Sequence, residues 1–199
     1  MTYQSIADIY AANDAVRRQL AERVENLSEA QQTFRPTDGA WSIAEIIDHL
    51  SKLEQQMVQL IGMLLKKSEG AAAVSATAGD DAPVADASAP GFRPFSLDIF
   101  VEQIKDEKLV APEQVRPGGN VTLADALAGL RRARAAIEGF RPRFEAATDL
   151  DAATYPHPYF GAFNSAQWLA FIGLHEGRHL RQIENLMAAP GFGKSGDSN

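Results

Sequence analysis

The chain has 199 residues, a formal net charge of −7 and no cysteine. The length suits one domain with a sizeable core, and the acidic balance, with no basic patch interleaved with aromatics, argues against nucleic acid as a partner. The lack of thiols removes disulfides, thiolate metal ligands and a cysteine nucleophile together.

Ile6, Ile9, Val16, Leu20, Val24 and Leu27 recur every three to four residues and predict a first helix over 2–27. Asn13 and Arg17 fall inside its apolar stripe. Either their polar heads reach water at the stripe's edge, which is the favoured reading, or they line a pocket. The opening residues, MTYQSIADIYAAND, have neither the charged nor the apolar region of a secretory signal. No stretch approaches the roughly 18 apolar residues of a membrane span, so no membrane association and a cytoplasmic location are expected.

A turn-rich stretch with Pro36 and Gly39 leads to Trp41 and then Ser42-Ile43-Ala44-Glu45. Ser followed three residues later by Glu is a capping box, with Trp41 and Ile46 placed to form a hydrophobic staple. The second helix is expected to run to about residue 67, with Ile46, His49, Leu50, Leu53, Met57, Leu60 and Leu64 inward. Residues 70–91 are nearly all Ala, Gly, Ser, Asp and Pro, too poor in apolar groups to offset their ordering entropy, and are read as a flexible insertion. A short helix over 97–106 is expected in the long crossover that follows.

Thr122 and Asp125 open a third helix expected over 123–145, with Arg134 and Arg141 beside its core face. Arg131, Arg132 and Arg134 read mostly as a solvated face. His157 lies between Pro156 and Pro158, on an extended or turn segment where a loop-packing role is expected. The fourth helix, 165–187, follows, and residues 191–199 form a Gly- and Ser-rich tail. No convincing strand is found. The expectation is an all-α four-helix bundle, a single domain over 1–190, with a long crossover between its second and third helices.

Histidine placement carries the chemistry. His175 and His179 are four residues apart, so their imidazoles stack on one face of the fourth helix. If that helix faces the second, His49 joins them. Three buried neutral imidazoles without a ligand would leave nitrogens unpaired at roughly 1–3 kcal/mol each, a cost a metal removes. All-imidazole ligation suits zinc, nickel, copper or iron and disfavours magnesium and calcium, and zinc or nickel is expected first, with iron next. Gln182 is one turn beyond His179; it either bonds a metal-bound water or pins the fourth helix to the first. Glu45 and Glu176 either orient an imidazole from behind or serve elsewhere, Glu45 in the cap and Glu176 toward solvent.

The helix start WSIAEII before His49, and HPYFGAFNSAQWLAFIGLHEGRHLRQI at 157–183, resemble the DinB-like (YfiT-type) metalloenzyme family. KLVAPEQVRP at 108–117, with Arg134 in the next helix, resembles one branch of it. The resemblance covers most of the chain outside 70–91. It implies a four-helix bundle whose divalent metal is held by His49, His175 and His179. It also implies frequent homodimers, and relatives that use low-molecular-weight thiols in S-transfer and isomerisation. The function expected on these grounds is thiol-dependent transfer to a small electrophilic molecule, with metal-dependent hydrolysis or non-catalytic metal binding in a stress response as alternatives. Arg134, Arg17 and Asn13 are candidates to line the mouth between the first and third helices and hold an anionic substrate group, although a surface ion pair explains Arg134 equally well.

Overall fold

A computed structural model describes residues 1–77, 91–99, 102 and 110–193. Four long helices form the frame: α1 (Ile6–Val24), α3 (Ile43–Thr77), α4 (Leu123–Glu138) and α6 (Ser165–Met187). The short helices α2 (Glu29–Thr33) and α5 (Arg141–Ala146) and a 3₁₀ turn at Glu113–Val115 lie in the connections. α3 packs mainly on α4 and also on α6, while α1 packs on α6. The all-α four-helix bundle with a long crossover between α3 and α4 is therefore the architecture.

Helix starts follow local chemistry. Ser5, Ser28 and Asn164 each accept from the amide three residues on, and the side chain at that position reaches back to the cap amide. Ser42 and Glu45 form the same reciprocal pair at the head of α3. Trp41 packs against the apolar cluster that contains Ile46. α3 continues to Thr77, ten residues past the expected end, through an Ala-rich stretch of high helix propensity. Residues 78–90, most of the helix expected at 97–106, and 194–199 lie outside the described residues.

Two departures from expectation have clear causes. The single helix expected over 123–145 is two helices, broken after Gly139. Pro142 has no amide hydrogen to donate to the carbonyl four residues back, and its ring would clash there, so the chain turns and restarts with the proline in the first turn of α5. Two small antiparallel ribbons were also not expected. β1 (Thr2–Tyr3) pairs with β2 (Phe95–Ser96), and β3 (Thr154–His157) pairs with β4 (Gly161–Asn164). In the second ribbon His157 faces Gly161, which takes a positive φ of 80° to close the turn.

The core is in two parts. One apolar cluster joins Ile6–Tyr10 of α1, Met57–Leu65 of α3, Ile137 and Phe144 beyond the middle of the third helical arm, and Ala166–Ile172 of α6. The other joins Leu20 and Val24, Ile43–Leu50, Leu123–Leu130 and Leu180–Leu186. Between them, on every one of the four long helices, the chain changes to polar residues: buried Asn13, Arg17, Glu54 and Glu176, and partly buried Arg134.

Candidate metal centre

His49 leaves α3 in its second turn, and His175 and His179 leave α6 one turn apart. Packing of α3 on α6 brings the three rings together, with centroids 4.5–5.2 Å apart. The Nε2 atom of His175 is 3.4 Å from Nε2 of His49 and 3.2 Å from Nε2 of His179. Nitrogens at about 2.05 Å from a tetrahedral cation are about 3.3 Å from one another. The spacing thus matches three corners of such a site, and it is the one group of three or more metal-capable side chains found among the described residues.

The opposite ring nitrogens settle which lone pairs are free. His49 Nδ1 lies 2.7 Å from the carbonyl oxygen of Val115, and His179 Nδ1 lies 2.8 Å from Oε1 of Gln182. Both acceptors require an N–H at Nδ1, which leaves Nε2 unprotonated and directed at the cluster. Burial is the first cause holding all three imidazoles neutral. The neighbouring rings add to it for His175, which is held well below the usual histidine range, and for His179, pushed down to about 3. His49 is lowered more modestly, because the Val115 carbonyl favours its charged form. Three Nε2 atoms facing one another, with the second nitrogen of two rings already committed, fit a cation.

Aromatic walls flank the cluster. Trp41 sits 5.0 Å from His49 and 6.5 Å from His179, and Phe171 sits 5.9 Å from His175. His175 is only half-buried, so the cluster reaches the surface on its side. His157 is not part of the triad. It fills an aromatic cage on the β3–β4 ribbon, stacked on Phe160 at 4.4 Å and edge-on to Phe171 at 4.7 Å. Burial pushes its pKa down to about 4.

The other expected site residues are placed differently. Glu45 stays in the cap, its carboxylate taken by the Ser42 amide at 2.8 Å and by Arg35 at 2.6 and 3.0 Å, and it is not brought to an imidazole. Gln182 orients His179 rather than bridging to α1. Asn13, Arg17 and Arg134 do not line a mouth, nor do the first two reach water. Asn13 is fully buried and donates to the Leu169 carbonyl at 3.0 Å. Arg17 and Arg134 turn inward to Oε1 of Glu176, at 3.4 and 3.0 Å. Glu176, one of whose expected positions was the solvent, has no exposure at all.

Two contributors were missed. Val115 acts through its backbone, which no side-chain pattern reveals. Glu54 was detectable: it lies four residues after Leu50 and three before Met57, an acid inside an apolar stripe, just as Glu176 lies four after Ile172. Acids in the stripes of two helices and arginines in the stripes of the other two are the signature of a buried ion-pair layer.

A four-helix bundle with a lateral cluster of three histidines, two on one helix and one on its neighbour, defines a class of bundle proteins built around a candidate metal centre. The chain belongs to the DinB superfamily, whose family model matches residues 12–183 and so spans all three histidines. It is 26% identical over 169 residues to the uncharacterized protein YuaE of Bacillus subtilis (strain 168), covering 82% of this chain and 87% of YuaE. The crystal structure of TT2238, a four-helix bundle protein, is similar with a TM-score of 0.56 at 19% identity, over 91% of this chain and 99% of that one. YfiT from Bacillus subtilis, described as "a probable metal-dependent hydrolase with an unusual four-helix bundle topology", matches with a TM-score of 0.49 at 17% identity, over 94% and 88%. Among the described residues no helix is long and apolar enough to cross a membrane.

Proposed function

We propose that the protein is a divalent-metal enzyme in which His49, His175 and His179 hold the cation, and that it transfers a small exogenous nucleophile, in the first place a low-molecular-weight thiol, to a small electrophilic substrate. The observation that carries this reading is the convergence of three Nε2 lone pairs at 3.2 and 3.4 Å, with Nδ1 of two rings tied to Val115 and Gln182. A bound cation would supply Lewis acidity and lower the pKa of a coordinated nucleophile. Imidazole donors favour zinc or nickel, with iron next.

The chain's own residues supply the rest. The Val115 carbonyl and Gln182 hold the tautomers and ring orientations. Three neutral ligands leave the full charge of the cation uncompensated, which favours an anionic nucleophile. The Trp41 and Phe171 walls favour a soft, weakly hydrated one, which supports a thiolate over hydroxide. With no cysteine in the chain, a sulfur nucleophile must arrive with a cosubstrate. Hydrolysis is the second reading, because three neutral nitrogens with an open fourth position also suit water activation.

The test uses zinc- or cobalt-loaded protein, a panel of cellular thiols and a chromogenic electrophile. Thiol-dependent turnover that disappears in His175→Ala is the expected result. Turnover without thiol would select hydrolysis. Equal rates in wild type and His175→Ala would remove both readings and leave a non-catalytic metal-binding protein. Light scattering on the same samples measures the homodimer that the family resemblance implies.

A further inference from the structure

The polar layer between the two halves of the core does a task that neither half can do. Its members come from all four long helices. Glu176 of α6 accepts from Arg17 of α1 at 3.4 Å and from Arg134 of α4 at 3.0 Å, both on Oε1. The carboxyl of Glu54, from α3, lies beside that of Glu176, and neither of its oxygens has a hydrogen-bond partner. One turn along, Asn13 of α1 donates to the Leu169 carbonyl, and its Oδ1 lies where a Cβ on Gly173 would stand, so α1 and α6 meet closely there only because residue 173 is glycine. Glu176 follows His175 directly and precedes His179 by three residues.

Magnitudes decide what this layer is for. A side-chain tip about 5–6 Å from a helix axis moves about 1 Å for a 10° rotation. Metal–ligand distances tolerate only about 0.2 Å. The aim of His175 and His179 is therefore sensitive to a rotation of α6 by only a few degrees. Directional bonds from α1 and α4 to one carboxylate oxygen, together with the Asn13–Leu169 bond a turn away, fix both the rotation and the height of α6.

We propose that Arg17, Arg134 and Asn13, acting through Glu176 and Leu169, are positioning residues that set the rotation and register of α6 and thereby the geometry of the histidine triad. They touch no substrate and no ligand. The inference rests on the reading of the triad as a metal centre, but its test does not depend on that reading alone.

Arg134→Met is the informative variant. It removes one of two guanidinium groups and leaves Arg17 to pair with Glu176, so no carboxylate is stranded. Circular dichroism checks that the variant is folded. Cobalt(II) affinity is expected to fall by about 10–100-fold, the usual consequence of loosening the support of a metal ligand, with a changed visible d–d spectrum. Arg134→Lys, which restores the charge, should recover most of the affinity and the wild-type spectrum. In the metal-free protein, histidine ring ¹H–¹⁵N correlations of Arg134→Met should shift for His175 and His179 and stay in place for His157. Cobalt affinity and spectrum equal to wild type in Arg134→Met, whatever its melting temperature, would reduce the layer to a stabilising element and overturn the proposal. If the wild type itself binds no cobalt, the metal reading fails, and the ring correlations alone decide: unchanged ring shifts overturn the positioning role, shifted ones support it. Should Arg134→Met not fold, Arg17→Met is read by the same criteria.

Discussion

The histidine triad and the charged layer are neighbours on α3 and α6, both largely buried, yet they solve the burial of polar groups in opposite ways. In the layer opposite charges meet: the Arg17 and Arg134 guanidinium groups both reach the Glu176 carboxylate. The triad holds no opposite charge: it turns three imidazole Nε2 atoms toward one another. A buried cluster in which opposite charges meet serves the fold. One with no opposite charge of its own calls for something the chain does not contain. The same contrast separates His157, whose ring is enclosed by aromatics, from the three histidines that face each other.

The sharpest way to break the comparison is to add the missing charge. At a metal concentration about 1,000 times Kd, a site that exists only in the folded state stabilises it by about 4 kcal/mol. For a chain of this size that is a rise in Tm on the order of 10 °C. Zinc or nickel should produce it in wild-type protein by scanning calorimetry, and a chelator should reverse it. No rise with any divalent transition metal would show that the triad closes its balance without a cation.

Next in size is the loss of a single ligand. His49→Ala, His175→Ala and His179→Ala should each cost about 3 kcal/mol of metal affinity, more than 100-fold, in a competition titration. His157→Ala should change it by less than about 3-fold. A site emptied by His157→Ala but filled in His49→Ala would transfer the ligand role to the ribbon.

The two regions also differ in how they answer to acid. The triad and His157 have native pKa values below the unfolded value near 6.5, His157 at about 4 and His179 at about 3, both chiefly from burial. The unfolded chain therefore binds protons that the native chain refuses, and stability rises with pH across that window. Metal-free protein should be fully stable above about pH 6.5 and lose about 1.4 kcal/mol per pH unit for each such histidine as the pH falls toward 4. Urea unfolding at pH 7.5, 6 and 5 measures the slope, and His157→Phe should reduce it by one proton. A flat profile would mean that the imidazoles are already protonated in the native state.

How far this arrangement was legible depends on whether a residue acts locally or at long range. The capping boxes, the i, i+4 histidine pair and the stripe containing His49 are written within single helices, so periodicity finds them. Proline at 142 was equally local and marks the break between α4 and α5. Arg17 was different: periodicity places it on the inward stripe, but its partner is Glu176, 159 residues away. Without the partner, an arginine on a stripe reads as a snorkelling side chain. The Val115 carbonyl is more hidden still, since it is the path of the crossover and not the identity of residue 115 that brings the oxygen to His49.

The smallest effect tests the layer's side of the comparison, and its sign is opposite to that of the histidines. Burial, and then the negative charge of Glu176, push the Glu54 carboxyl well above the usual carboxylate range. The native state then holds a proton that the unfolded chain gives up near pH 4.5, so this group's contribution falls as pH rises from 4.5 toward the native value. A protonated Glu54 also supplies the donor that two facing carboxyls otherwise lack. Glu54→Gln keeps the shape, offers an amide N–H to Glu176 and cannot ionise. Between pH 5 and 8 its stability relative to wild type should improve with rising pH, by at most about 1.4 kcal/mol per unit. Chemical denaturation of both proteins across that range gives the difference directly. A Glu54→Gln deficit that stays constant between pH 5 and 8 would show that Glu54 is ionised in the native layer and serves there as the counter-charge to the second arginine.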